Sequence, residues 1–160
     1  EPPKYNLGIR FMLKPLFKSL LMLCSLGSIS GQASENLDYA SLFFQTQQLG
    51  LDVEIAATPT SRETGLMHRS HIDANQGMLF VFEHQDFIHV WMKNTHIPLD
   101  VIFVDSKGRI VALLKHLPPC HQDNCPIYRS NQMASFMLEV NAGFIDQHRI
   151  TIGETIHLPF

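Results

Sequence analysis

Basic clusters, long apolar runs, cysteine and the familiar catalytic signatures are all scarce in this chain, and each scarcity removes a class of protein. Lysine and arginine number 12 against 15 acids. Beyond Lys18 they form no run, so the phosphate-neutralising surface that nucleic acid or anionic lipid requires is missing. The main early apolar stretch, Leu20 to Ile29, is short against the roughly 20 residues a helix needs to span a bilayer. There is no Gly-x-Ser-x-Gly elbow, no His-Glu-x-x-His and no glycine-rich phosphate loop, which leaves nucleophilic hydrolysis, zinc peptidase chemistry and P-loop nucleotide binding unsupported. Cysteines number three. What is present is 160 residues with 45% apolar content and 17% charge, the make-up of one globular domain of ordinary size.

The first third differs from the rest. Lys4, Arg10, Lys14 and Lys18 precede the apolar stretch, which exits through Ser28, Ser30, Gly31 and Ala33, the layout of a secretory signal peptide with Gly-Gln-Ala at 31–33 as cleavage tripeptide. Counted from Met12 the segment has the usual length, and residues 1–11 read as an upstream extension. An uncleaved anchor is the alternative reading. Leu23 stands directly before Cys24, where lipidation signals want a small residue. Cleavage after Ala33 leaves eight basic and fourteen acidic residues, a net charge of −6. The expectation is a periplasmic or secreted protein with no membrane span once the leader is removed. Cys120 and Cys125 are then the remaining cysteines, in an oxidising compartment where a loop disulfide is ordinary; metal ligation by both thiolates with His121 is the competing reading.

Along the mature chain, residues 34–50 read as a leader or edge segment, and 51–160 as one β-rich domain. Leu51, Val53 and Ile55 alternate with Asp52 and Glu54, a half-exposed strand. Thr60 and Glu63 have capping-box spacing and predict a short helix to about His68. On it Arg62, Leu66 and Arg69 share a face at i, i+4 and i+7. Residues 77–82 form a short buried strand. Phe87 to Met92 and Leu99 to Val104 read as a strand, a polar turn and a strand, the first apolar on both faces and so expected deep in the fold. Asp105 to Gly108 turns into a strand at 109–115. Three prolines interrupt 116–132; 135–141 is a strand, 144–148 a helical turn, and a last strand closes the chain. The fold class is mainly β (α+β), a small antiparallel domain, closed or nearly closed into a barrel, with one short helix.

Arg62 with Gly65-Leu66-Met67 and Arg69, Gly77-Met78-Leu79-Phe80-Val81-Phe82, Trp91-Met92-Lys93-Asn94-Thr95, Ile97-Pro98-Leu99-Asp100 and Ile102-Phe103-Val104-Asp105 occur in that order. Pro119-Cys120, Cys125-Pro126 with Tyr128, and Leu138-Glu139 to Gly153 follow. This set resembles the DUF192 family of uncharacterised bacterial and archaeal proteins over about Leu51 to Leu158. The resemblance implies a compact, often exported β-rich domain and no assigned chemistry. His84, His89 and His96 stand outside the family's pattern.

The candidate site is a charge cluster of Arg62, Arg69, Lys93, Asn94, Asp100 and Glu139. Acids among aliphatics are costly unless cations or amide donors meet them, so the cluster reads as an internal ion-pair latch or as an anion site with Asp100 and Glu139 orienting the cations. The function expected is an exported binding or accessory module, taking a small anionic ligand or an envelope protein as partner, with no cofactor implied. One alternative is a hydrolase using Asp100 or Glu139. Another is a periplasmic metal-handling protein with Met67, His68 and His71 as accessible ligands; Met78, Met92 and Met137 occupy core-type positions.

Overall fold

The computed structural model describes residues 38–160; the leader expected over residues 1–33 lies outside the described residues. Nine strands and two short helices follow in the order β1 (Asp38–Phe44), β2 (Leu49–Ala56), α1 (Pro59–Thr64), β3 (Gln76–Asp86), β4 (His89–Trp91), β5 (Leu99–Val104), β6 (Ile110–Leu117), β7 (Ile127–Arg129), β8 (Ala134–Asn141), α2 (Phe144–His148) and β9 (Ile156–His157). Seven strands form one sheet in the order β6-β5-β8-β3-β2-β1-β9, and β4 pairs with β7 in a separate ribbon. The mainly-β expectation holds, with a second helix where one turn was foreseen. The pairings are antiparallel except for β2 with β3. A helical crossover joins those two strands instead of a tight turn, which allows them to run in the same direction.

Local signals account for most elements. Leu51 and Val53 are buried on β2 while Asp52 between them is exposed. α1 begins at Thr58, whose hydroxyl accepts from the Ser61 N–H at 3.1 Å while Ser61 Oγ accepts from the Thr58 N–H at 3.0 Å. The capping box therefore stands two residues earlier than Thr60 and Glu63 predict, with Pro59 opening the helix, where a missing N–H leaves nothing unpaired. Gly65 then turns to φ +46° and ends the helix. Arg69 is not on it, and the shared face expected for Arg62 and Arg69 does not form.

The stretch Phe87 to Met92 also departs from expectation. Only His89–Trp91 is strand, and it pairs with β7, not with β5. Ile88, Val90 and Met92 are buried, whereas His89 is exposed and Trp91 keeps 41% of its surface. The ribbon is a cover laid over the main sheet, so only its inner face is dry. The guanidinium of Arg129 sits 4.4 Å from the centre of the Phe87 ring and shields part of the outer apolar surface.

β5 is buried at all six positions because it lies between β6 and β8 with a core on either side. Val101 and Phe103 join Met78, Phe80, Met137 and Val90 beneath the cover; Ile102 and Val104 join Leu79, Leu138, Val140 and Phe44 on the opposite face. The sheet curls into a half-barrel, and the start of β6 meets the segment leading into β9: the Ile110 N–H donates to Glu154 O at 2.9 Å and the Ile156 N–H to Gly108 O at 2.8 Å. Gly108 has φ +78°, and a Cβ there would lie 2.5 Å from the Ile156 carbonyl oxygen. Only glycine permits that approach.

At the head of β5, Asp100 is fully buried. Oδ1 accepts from the His116 N–H at 2.8 Å, and Oδ2 from the N–H groups of Gly143 and Ile145 at 3.0 and 2.9 Å. The cations expected over this acid are not its partners. The first-turn amides of α2, which have no intrahelical acceptor, take their place. Asp100→Asn sets an amide donor against a backbone donor and leaves a buried N–H unpaired, at a cost of roughly 3 kcal/mol. Calorimetry should show the melting temperature falling by on the order of 10 °C; an unchanged midpoint would refute this role.

Candidate binding site

The helix α1 with the residues after it, the cover strand β4 and the sheet strand β8 line a partly open pocket of about 80 Å³ whose lining includes Arg62, Leu66, His89, Trp91, Thr95 and Glu139. Alternation along β8 sends Leu138 and Val140 to one core and turns Met137 and Glu139 towards α1 and β4. Glu139, in register with Met78 and Val101, is 5% exposed. Among the described residues its carboxyl has no hydrogen-bond or ion-pair partner. Burial alone pushes it up to about 8, because a charged carboxylate loses its hydration there and gains nothing in return. Thr95, also buried, has its hydroxyl 3.4 Å from the Lys93 carbonyl oxygen, a long contact that leaves it available. Beside the pocket, His89, Val90, Trp91 and Ile127 form an open recess of about 190 Å³. Trp91 and Ile127 give it an exposed apolar floor.

The predicted cluster is dispersed. Arg62 and Glu139 line the same pocket, but Arg62 Nη1 donates to the carbonyls of Ala57 and Val81, and its guanidinium lies 5.5 Å from the centre of the Phe82 ring. Arg69 grips Glu54 through two hydrogen bonds, at 2.9 and 2.6 Å, and those bonds hold the guanidinium above its ordinary value. Lys93 Nζ lies 5.7 Å from the centre of the Trp91 ring. Asn94 is a turn residue with φ +54°, accepting from the His68 N–H at 2.8 Å and donating to Cys120 O at 2.9 Å. Asp100 and Glu139 occupy opposite faces of the sheet, opposite Val140 and Val101 in the β5–β8 register. They cannot flank one scissile bond, so a paired-carboxylate hydrolase has no geometric basis here.

Cys120 and Cys125 are paired, with Cα atoms 5.9 Å apart. His68, His96 and His121 stand edge to face in a row, with ring centres 5.9 and 5.0 Å apart, and His71 pairs with Asp73 at 2.9 Å. Among the described residues no three His, Cys, Asp or Glu side chains are gathered closely enough to hold a metal ion. His89, Trp91 and Thr95 line this pocket but do not belong to the expected cluster, because two short apolar runs around a polar turn resemble a buried hairpin. The alternation His89-Val90-Trp91 was the available signal, since it sets a polar ring and an indole on one side of Val90.

Fold and site together define a curled half-barrel of mainly β structure with a small pocket under a two-stranded cover. The family model DUF192, described as uncharacterized ACR, matches residues 42–158, and the chain belongs to that family. Among solved structures, a Sinorhizobium meliloti 1021 protein described as a "putative transcription regulator" is 32% identical, with a TM-score of 0.69 over 79% of this chain and 97% of its own. A protein of unknown function from Novosphingobium aromaticivorans DSM 12444 is 25% identical, with a TM-score of 0.72 over 79% of this chain and 89% of its own. No curated protein matches this chain.

Two measurements follow from this geometry. Glu139 holds its proton in the folded state up to about pH 8 but loses it near 4.5 when unfolded. Its contribution to stability is complete below 4.5, is lost as pH rises through that window, and is constant above it. The melting temperature of the native protein should fall across this range relative to Glu139→Gln, and Glu139→Leu should raise stability by roughly 1–3 kcal/mol by removing a buried unpaired group; parallel pH profiles would count against it. Tryptic peptide 116–129, which holds both paired cysteines, should leave the unreduced protein two hydrogens lighter than its reduced form in mass spectrometry; recovery at the reduced mass would disprove the bond.

Proposed function

We propose that this protein is an exported binding or accessory module that takes a small ligand into the pocket around Glu139. The observation that carries this reading is the carboxyl of a residue only 5% exposed, without a partner among the described residues, on the wall of a cavity that also presents an indole, an imidazole and a hydroxyl. An unpaired buried carboxyl costs stability, and in a binding site the ligand supplies what the fold withholds. The site thus differs from the charge cluster read from the sequence: Arg62 and Glu139 remain, while Arg69, Lys93, Asn94 and Asp100 serve the fold or the rim. Export is supported by the leader reading of residues 1–33 and by the paired cysteines. No helix among the described residues is long and apolar enough to cross a membrane. The role named for the Sinorhizobium meliloti protein finds little support here, because residues 38–160 carry eight basic against thirteen acidic side chains with no basic run to neutralise phosphates.

Trp91 is the sole tryptophan and lines the pocket, so its emission reports occupancy directly. Screening small polar compounds by Trp91 fluorescence should yield at least one saturable shift that Glu139→Leu abolishes. Binding that survives Glu139→Leu unchanged would place the ligand site elsewhere.

A further inference from the structure

We infer that the ligand of this pocket bears a protonated amine on an apolar body, with the ammonium paired to Glu139 and the body lying across Trp91 and Ile127. The inference rests on the pocket reading above and adds the ligand's chemistry to it. The groups facing Glu139 decide the sign of charge. From α1 and the residues after it come Arg62 and Glu63; from β4 comes His89; the connection to β5 supplies Thr95. The strand β3 contributes only Phe80 to this wall, and Lys93 lies over Trp91 at the rim. Arg62 uses Nη1 on two backbone carbonyls and lies against the Phe82 ring, which fixes its guanidinium to the fold without cancelling its charge. Glu63 and His89 are exposed, so among the described residues Glu139 is the buried titratable group of this lining without a partner, and an ammonium is the group that its carboxylate would pair with. The Lys93 ammonium lies 5.7 Å from the centre of the Trp91 ring, within the range of a cation–π contact.

The size of the cavity sets the rest. A space of about 80 Å³ admits an ammonium and a few methylenes, and the adjoining recess floored by Trp91 and Ile127 can cover a longer apolar tail. When the amine enters, the neutral Glu139 carboxyl loses its proton to solvent and becomes the carboxylate partner of the ammonium. The amine arrives protonated and stays so; one proton leaves per ligand bound, and charge balances.

Three probes with one tail length separate the possibilities: hexylamine, hexanol and hexanoate, titrated into the native full chain and followed by Trp91 fluorescence and calorimetry. At about pH 6.5 hexylamine is a cation. It should bind at least about tenfold more tightly than hexanol, and hexanoate should bind more weakly still. Calorimetry in buffers of different ionisation enthalpy should register close to one proton released per amine. Glu139→Gln should fold, lose the tenfold preference for the amine over the alcohol and release no proton. Hexanoate or hexanol binding as tightly as hexylamine, or amine binding without proton release, overturns the amine assignment while leaving the pocket as a binding site. Silence of Trp91 towards all three probes, with no calorimetric heat, overturns the amine assignment too; the compound screen then decides the pocket reading separately.

Discussion

Three backbone amides converge on the Asp100 carboxylate, and the placement of three parts of the chain depends on that convergence. The acceptor stands at the head of the most deeply buried strand. One donor is His116, whose φ of +55° breaks the line of β6 near its end; the other two open α2. An ionised group can sit in such a place only if its hydration is replaced bond for bond. The amides of a helix's first turn are suited to this because they have no other acceptor. The arrangement holds α2 against β5 and keeps the end of β6 beside it, and Ile145 seals the core on that side of the sheet.

Glu139 lies across the β5–β8 register from Val101, next to Asp100 along the sheet but on its other face. The two acids are comparably buried and have opposite fates. Asp100 is met by donors from the backbone; Glu139 is met by none among the described residues and retains its proton far above the usual carboxylate range. A fold able to satisfy one acid so fully on one face leaves the other bare on a cavity wall. That contrast separates the acid that serves the fold from the acid proposed for the site, which their shared character as acids among aliphatics could not do.

Much of the architecture was legible in residue order. The alternation of β2 and β8, the hairpin at Asp105 to Gly108 and the helical turn at 144–148 are written in the local order of apolar, polar and turn residues, and local pattern reports these well even where the strands' partners are distant. The site was legible only in part. Arg62 and Glu139 do share a pocket, but Arg69 went to Glu54 because Gly65 ends α1 before a second turn can carry it round. Trp91 was placed inside because an apolar stretch does not say whether a strand lies within a sheet or forms a cover over one.

The sequence by itself determined the family, the mainly-β class and the positions where buried acids would need partners, since hydrophobic periodicity and turn chemistry are written locally. Only the tertiary structure decided which partners those acids received. A carboxylate is satisfied equally by a guanidinium or by a cluster of N–H groups, and every residue but proline has a backbone N–H, so composition is silent on the choice. It is settled by where strand register and helix ends bring the backbone, and that depends on contacts between segments far apart in the chain.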